Sequence, residues 1–234
     1  MKNLTRRIEN YWDERSENFS QTRRLELEGV DGIAWKKIFK KNLPSGRLKV
    51  LDVGTGAGFF AAILSKLGHE VIGVDLSAKM LSEAEKNLRE LKLPAEFKRM
   101  NAQELDFADE TFDAVISRNL TWTLPDVKAA YREWFRVLKI GGVLMNFDSD
   151  YGDKNFLDET TCAKGEVCEK MLNECDAIKN SLRISTYRRP SWDAGFLEGL
   201  NFSVTFDEDI SDAVQRDNRC VYDSVPLFAI CAVK

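Results

Sequence analysis

The residues of this chain whose types and spacing could support chemistry are an acid inside an apolar run and the alternating glycines that follow it. The stretch Val50–Gly58 reads Val-Leu-Asp-Val-Gly-Thr-Gly-Ala-Gly, and a second acid, Asp75, ends the next apolar run. Glycine lets a backbone turn sharply and approach a ligand that a Cβ would hold away. The free N–H groups at the start of a following helix face the same ligand. The pattern predicts a nucleotide-binding corner made of a strand, a glycine turn and a helix.

The glycine spacing and the two acids indicate which kind of nucleotide. A dinucleotide fingerprint would place its third glycine at the position of Phe59, whereas here it comes one residue earlier, at Gly58. A carboxylate at Asp52, inside the strand, adds nothing to a pyrophosphate site but suits a ligand with an ammonium or sulfonium group. Asp75 lies where an acid can accept hydrogen bonds from ribose hydroxyls. These residues favour a positively charged nucleoside over a dinucleotide.

Val50–Gly58 resembles the first motif of the class I S-adenosylmethionine-dependent methyltransferases, which has hydrophobic residues, Asp and then Gly-x-Gly-x-Gly. The resemblance covers residues 48–148 well and the flanks loosely. It implies S-adenosyl-L-methionine as cofactor, S-adenosyl-L-homocysteine as product and a small molecule as methyl acceptor. The cofactor-binding residues that the resemblance implies are Tyr11, Asp52, Gly54, Thr55, Gly56, Gly58, Asp75, Leu76, Met80, Asn101, Ala102, Gln103, Arg118 and Asn119.

The resemblance also implies a role for most of these residues. Asp52 would act near the methionine end of the cofactor, and Asp75 would hold both ribose hydroxyls. Leu76 and Met80 would pack near the adenine, although Met80 could equally belong to the core. Tyr11 would touch the methionine end from an N-terminal cap that many small-molecule methyltransferases fold over the cofactor.

The adenine-binding segment departs from the usual family pattern. Asn101-Ala102-Gln103 stands where the family commonly has Asp-Ala-Glu. The oxygen of Asn101 can still accept from the adenine amino group, so the contact is expected without the negative charge. Ala102 would contribute its backbone N–H to the ring.

The segment after the fourth predicted strand, Ser117–Trp122, would pass under the transferable methyl group. Enzymes of the family that methylate nucleic-acid bases or protein glutamine commonly have Asn/Asp-Pro-Pro-Tyr here, and this chain does not. We therefore expect no nucleic-acid substrate. Arg118 and Asn119 would contact cofactor or acceptor, and Trp122 would either form a pocket wall or pack against the following helix.

Asp148 and Tyr151 are the predicted catalytic residues. They follow the fifth predicted strand at the ligand-binding edge, where a carboxylate and an aromatic ring suit an amine-bearing acceptor that they could orient and deprotonate. The alternative interpretation is the start of a solvated acidic loop. A base is dispensable when the acceptor arrives deprotonated, because positioning alone can supply roughly 7–11 kcal/mol of a barrier. No metal site is predicted.

Composition limits the remaining functions. The 234 residues carry a net charge of −4, which argues against a protein that binds the phosphate backbone of nucleic acids. We expect no membrane span, because no apolar run approaches about 18 residues, and no secretory signal, because the first 15 residues are charged throughout. Five cysteines without Cys-x-x-Cys spacing favour reduced thiols and a cytoplasmic location. A monomer or a homodimer is expected.

The elements around these residues alternate. Strands are predicted near 48–53, 70–75, 95–100, 112–117, 142–148, 202–207 and 225–233, and helices near 58–67, 77–92, 125–138 and 191–199. Alternation predicts an α/β fold with a mostly parallel, doubly wound sheet and helices on both faces, and the resemblance implies seven strands in a Rossmann-like methyltransferase fold. We expect one domain over 1–234, with an N-terminal helical cap of two helices (1–41). Residues 149–190 are expected to be a lid insertion for the substrate.

Two other functions stay open at this point. A non-catalytic S-adenosylmethionine-binding sensor or partner protein would have the same fold, since the family has no single indispensable catalytic side chain. A nicotinamide-dependent oxidoreductase is disfavoured because Phe59 occupies the required glycine position.

Overall fold

The chain forms one sheet of mostly parallel strands. The computed structural model describes residues 2–158, 169–217, 220 and 224–234. Its strands are β1 (Lys49–Val53), β2 (Glu70–Asp75), β3 (Glu96–Arg99), β4 (Phe112–Arg118), β5 (Leu138–Ser149), β6 (Ser203–Asp207) and β7 (Leu227–Val233). They lie in the order β3-β2-β1-β4-β5-β7-β6, and β7 runs antiparallel to both of its neighbours. The predicted fold class is confirmed.

Helices cover both faces of the sheet. They are α1 (Lys2–Glu28), α2 (Val30–Asn42), α3 (Phe59–Lys66), α4 (Ala78–Glu90), α5 (Val127–Val137), α6 (Glu169–Asn180), α7 (Ser191–Glu198) and the short α8 (Ser211–Val214), which the sequence did not predict. Part of the predicted lid insertion, residues 159–168, lies outside the described residues. Within the described ranges, every helix is too short or too polar to cross a bilayer.

The central strands are apolar because both of their faces are covered, as is usual for parallel sheets. Successive side chains of a strand point to opposite faces. Leu51 and Val53 therefore pack into a cluster that includes Trp134 of α5. The side chain of Val50 points to the opposite face of the sheet and packs into a second cluster with Trp35 of α2. The side chains of Val50, Leu51 and Val53 are all buried, as are those of Trp35 and Trp134. Strand β1 therefore lies in the middle of the fold.

Helix α1 lies across the carboxyl-end edge of the sheet and is tied by side-chain contacts to α4 and α6. Asp13 accepts a hydrogen bond from the hydroxyl of Ser77, the residue that caps α4. Arg7 binds Glu174 of α6 through two hydrogen bonds of 2.8 Å. These contacts hold α1 beside the carboxyl ends of β1 and β2.

The helix predicted near 125–138 is α5, which ends at Val137, and Leu138 already belongs to β5. The backbone of this stretch is paired with the C-terminal strand region, because the Gly141 N–H donates a hydrogen bond to the carbonyl of Lys234 (2.8 Å). Gly141 takes a φ of +75° inside the strand. The helix also begins later than the sequence indicated, at Val127, with Asp126 as its capping residue.

Gly58, the residue that turns the chain into α3, is a position where glycine is required. Its φ is +83°, and an added Cβ would lie 2.8 Å from the side chain of Leu88 and 3.1 Å from that of Ala84. Gly58→Ala therefore combines a left-handed backbone, costing about 1–2 kcal/mol, with overpacking of about 1–3 kcal/mol. We expect urea unfolding to show a loss of about 3 kcal/mol.

The matched control is Gly68→Ala. Gly68 has a φ of +90° and no atom within 4 Å of the added Cβ, so only the backbone term applies. Equal losses for the two variants would show that the contact with α4 does not constrain Gly58.

Candidate functional site

The carboxyl ends of β1, β2, β3 and β4 meet at a cavity of about 740 Å³. Ligands of open α/β sheets bind at this edge, where the strand order reverses between β1 and β4. Ten of the predicted cofactor-binding residues line the cavity: Gly54, Gly56, Asp75, Leu76, Met80, Asn101, Ala102, Gln103, Arg118 and Asn119. Segments that are up to 65 residues apart in the sequence therefore converge on one space.

Asp75 is held at the end of β2 by the backbone. Its Oδ2 accepts from the Gly56 N–H and its Oδ1 from the Ser77 N–H, both at 2.9 Å. Burial raises the pKa of Asp75 to about 6, because the charged form loses its hydration. Each carboxylate oxygen can accept a further hydrogen bond. This geometry suits a pair of neighbouring hydroxyl groups.

Asp52 secures the glycine turn from below. Its Oδ2 accepts from the hydroxyl of Thr55 (2.6 Å) and from the N–H of Ala61 in the first turn of α3 (3.1 Å). Burial raises the pKa of Asp52 to about 7. The carboxylate therefore holds strand, turn and helix together, in addition to lining a second cavity together with Thr55.

The segment that was predicted to bind adenine, Asn101–Gln103, is folded on itself. The oxygen of Asn101 accepts from the backbone N–H and the side-chain amide of Gln103, at 3.1 and 3.0 Å. Gln103 in turn accepts from the N–H of Asp126 at 2.6 Å. The carbonyl of Ala102 accepts from the indole of Trp134 (3.0 Å). The oxygen that the sequence assigned to adenine thus already accepts two hydrogen bonds within an internal turn, which uses both of its lone pairs.

Arg118 and Asn119 end β4 beneath helix α1. A guanidinium nitrogen of Arg118 lies 2.7 Å from Glu26 of α1, whose side chain is fully buried. Asn119 has a φ of +52°, and its N–H donates to the carbonyl of Phe147 (2.8 Å). A non-glycine residue in the left-handed region at a cavity wall is a strained feature that often accompanies a binding role.

Helix α1 supplies cavity residues that the sequence interpretation missed. Thr5, Ile8, Trp12 and Phe19 all line the cavity. Their spacings of three, four and seven residues place them on one helix face, so the helical periodicity of the first 20 residues was the available signal. The sequence had instead pointed to Tyr11.

Tyr11 faces a different side of α1. It lines a groove together with Arg7, Asn10, Glu14 and residues of α6. Its hydroxyl accepts from Arg15 at 3.2 Å, and burial is the largest of the effects that raise its pKa above the ordinary range. Gly58 likewise lies beneath the turn and not at the wall of the main cavity, in contact with α4.

Asp148, one of the two predicted catalytic residues, is fully buried. It accepts hydrogen bonds from the hydroxyl of Thr121 and from the Trp122 N–H, the latter at 3.1 Å. Burial raises its pKa, opposed by the guanidinium of Arg189 at 3.5 Å. Arg189 also binds Asp193 through two hydrogen bonds of 2.8 Å. Asp148 thus belongs to a buried charge network that anchors the segment after β4.

Tyr151, the other predicted catalytic residue, lies in an aromatic cluster next to that segment. Its ring centroid is 4.8 Å from that of Trp122 and 5.4 Å from that of Phe156. Trp122 lies 6.5 Å from Trp12, which lines the main cavity. The cluster therefore connects the cavity with the start of the insertion, and Trp122 packs within it.

Comparison with known proteins agrees with this geometry. Residues 51–146 match the family model described as a methyltransferase domain. Sterol methyltransferase-like 3 of Botryococcus braunii is 30% identical over 173 residues, which cover 69% of this chain and 43% of that protein. Demethylmenaquinone methyltransferase of Chlorobaculum parvum is 34% identical over 140 residues, covering 58% of this chain and 56% of that protein. The chain spans about half the length of these curated relatives.

A solved structure shows the same fold. The crystal structure of a SAM dependent methyltransferase from Aquifex aeolicus matches with a TM-score of 0.63 at 20% sequence identity, covering 94% of this chain and 97% of that chain. The family resemblance drawn from the glycine motif and the Rossmann-like methyltransferase fold are confirmed.

The raised pKa of Asp52 predicts a pH dependence of stability. The native state holds the proton up to about pH 7, whereas an unfolded aspartate loses it near 3.9. Between these values the native state binds more protons, so its contribution to stability falls as the pH rises from about 4 to 7. We expect wild type to lose stability relative to Asp52→Asn over that window, by roughly 1.4 kcal/mol per unit of pKa shift.

Urea unfolding of both proteins at pH 5, 6, 7 and 8 measures this difference. Glu133 and Glu174 make the opposite contribution to the pH dependence of stability, because hydrogen bonds to Arg136 and Arg7 lower their pKa values. Wild type and Asp52→Asn both contain these residues, so their contribution cancels in the difference. A difference that is constant between pH 5 and 8 would contradict the shift.

Proposed function

We propose that this chain, whose residues 51–146 form a methyltransferase domain, is an S-adenosylmethionine-dependent methyltransferase that acts on a small molecule. The observation that carries the proposal is the main cavity, where Asp75 is fixed by two backbone N–H groups beside an apolar wall. Two of the curated relatives are named as a sterol methyltransferase-like protein and a demethylmenaquinone methyltransferase.

The residues present fit this cofactor. The two oxygens of Asp75 keep acceptor capacity for the two ribose hydroxyls. Leu76, Met80 and Met100 offer apolar side chains for a purine ring. The left-handed glycines let the backbone form the cavity wall, since an added Cβ at Gly54 would meet Leu120 at 2.8 Å.

When bound, the sulfonium of the cofactor supplies an activated methyl group for in-line displacement. The chain's own residues then act by positioning. Asp75 orients the ribose, and the anchored turn at Asp52 fixes the backbone that faces the ligand. Helix α1 excludes water from the cavity with Trp12 and Phe19. Alignment of two reactants in this way supplies roughly 7–11 kcal/mol of a barrier.

The acceptor is proposed to approach from the aromatic cluster of Trp122, Tyr151 and Phe156, which adjoins Trp12 of the main cavity. Asp148 holds the segment that carries Trp122. The catalytic roles of Asp148 and Tyr151 stay predictions. The charge network around Asp148 and the ring cluster around Tyr151 also explain why these two side chains are buried. We further propose a cytoplasmic protein that acts as a monomer or a homodimer.

Binding and turnover experiments test the function. Calorimetry should show binding of S-adenosylhomocysteine and none of NAD, because Asp75 and the early Gly58 fit a nucleoside and not a pyrophosphate. Methyl-labelled S-adenosylmethionine incubated with a metabolite extract should then yield a labelled product. Binding of NAD alone would overturn the assignment, and cofactor binding without any labelled product would favour the non-catalytic sensor.

Asp148→Asn separates a structural from a catalytic role. Loss of the charge beside Arg189 should lower the free energy of unfolding by about 2 kcal/mol, as for hydrogen bonds to charged groups. Because Asp148 is enclosed, we expect labelled-product formation per folded molecule to change less than about twofold. A loss of 10²–10⁴ in that rate would instead make Asp148 the base.

Two further variants complete the comparison. Asp113→Asn removes a partly exposed partner of Lys139 and should cost at most about 1 kcal/mol. Tyr151→Phe keeps the ring contacts of the cluster and removes only the hydroxyl, so an unchanged rate would exclude that hydroxyl from the reaction.

A further inference from the structure

Among the residues that the structure describes, ten line the main cavity in addition to the ten predicted cofactor-binding residues. None of these further ten has an ionisable side chain, and eight of them are apolar. The apolar ones include Ile8 and Trp12 of α1 and, after β4, Leu120, Leu124 and Pro125. Whichever part of this wall the cofactor covers, the part that is left for the methyl acceptor is uncharged.

The two ionisable side chains that do line the main cavity already have partners. Asp75 accepts from the N–H groups of Gly56 and Ser77, and in the proposed function it also binds the ribose. Arg118 lies 2.7 Å from the buried carboxylate of Glu26. Burying a charge without an opposite charge beside it is strongly unfavourable. A charged acceptor would therefore lack a counter-charge in this cavity.

Two carboxylates of α1 near the cavity are also engaged elsewhere. Glu9, next to the cavity residue Ile8, binds Arg99 at the end of β3. Asp13 accepts from the hydroxyl of Ser77. Both contacts hold the helix against the sheet domain, so neither carboxylate is available to a cationic acceptor.

The aromatic cluster beyond Trp12 continues the uncharged wall. Two carboxylates precede or adjoin it in the sequence, and both have partners. Asp148 faces the guanidinium of Arg189 at 3.5 Å. Asp150 accepts from the backbone N–H groups of Gly152 (3.2 Å) and Arg189 (3.0 Å). These carboxylates serve the protein's own structure, which leaves the cluster as an apolar surface.

Aromatic rings alone can hold an ammonium group when their faces surround an open space. The rings of Trp122, Tyr151 and Phe156 instead pack on one another, with centroids 4.8 to 5.7 Å apart. Each of the three side chains is at most 9% exposed. The cluster is therefore suited to contact with an apolar molecule and not to enclosing a cation.

We propose that the methyl acceptor is an uncharged, largely apolar molecule that reacts through an X–H group and leaves as an uncharged product. The inference rests on the proposed function and names its substrate class. In the transfer, the acceptor atom X forms a bond to the methyl carbon, and the electron pair of the C–S bond goes to sulfur. The proton of the X–H group passes to water. A cationic product would meet the same lack of a counter-charge as a cationic acceptor.

Separation of labelled products by charge tests this inference. The protein is incubated with methyl-labelled S-adenosylmethionine and a metabolite extract, and the mixture is passed at pH 7 over cation- and anion-exchange resins. A reaction without protein measures the label carried by the cofactor and its breakdown products. We expect at least about tenfold more transferred label in the flow-through, extractable into ethyl acetate, than on the resins, since an unpaired buried charge costs more than that factor.

The outcomes separate the inference from the function on which it rests. Transferred label that is retained on either resin shows methylation of a charged acceptor. It would overturn the inference and leave the proposed function intact. Binding of S-adenosylhomocysteine by wild type without any transferred label would overturn both.

Ile8→Asn tests the apolar wall itself. Ile8 lines the main cavity from α1 and is 6% exposed, so the variant places an amide against the acceptor. We expect label transfer to fall about 10- to 100-fold, the range for burying an unpaired polar group. Calorimetry should show S-adenosylhomocysteine binding within about threefold of wild type.

Leu25→Asn is the matched control, because it makes a similar change on the same helix. Leu25 is 41% exposed and is not among the residues that line the main cavity. Its rate of label transfer should stay within about twofold of wild type, and circular dichroism shows whether each variant is folded. An unchanged rate for Ile8→Asn, or equal losses for the two variants, would contradict an apolar acceptor wall.

Discussion

The reversal of strand order between β1 and β4 is the constraint on which the rest of the structure depends. The two strands pair in parallel, but their connections leave in opposite directions along the sheet. Their carboxyl ends therefore open into a crevice that no connection covers. The glycine turn after β1, Asp75 after β2 and Asn119 after β4 all border this crevice. The residues that could bind a ligand lie at this crevice, because the backbone N–H and C=O groups of the surrounding strands are already hydrogen-bonded within the sheet.

Buried carboxylates stabilise the edges of that crevice in two different ways. Asp52 and Asp75 are held mainly by backbone N–H groups and a hydroxyl, and burial raises the pKa of both. Glu26 is held instead by two guanidiniums, and Asp148 faces that of Arg189. The first pair can respond to a cationic ligand, since a nearby positive charge favours the ionised form. The second pair fixes the position of α1 and of the segment after β4.

The N-terminal helix is both a structural cap and part of the site. Its polar residues bind α4 and α6, through Asp13 and Arg7. Its other face presents Trp12, Phe19 and Arg23 to the two cavities. A helix that is held by side-chain contacts, and not by the sheet's hydrogen bonds, can separate from the domain at lower cost than a strand can. A ligand beneath the helix could enter and leave through such a local separation of α1.

The sequence by itself determined the α/β fold, the parallel strands and ten of the residues that line the main cavity. Apolar runs, the three glycines and the positions of Asp52 and Asp75 are local signals, because each follows from what one segment of backbone can adopt. Only the tertiary structure decided that Trp12 and not Tyr11 faces the main cavity, that Arg23 lines the second cavity, that Asp148 is enclosed and that Gly141 lies within a strand. These outcomes depend on which distant segment pairs with or covers each residue. Such partners are set by packing and strand register, which a local pattern does not contain.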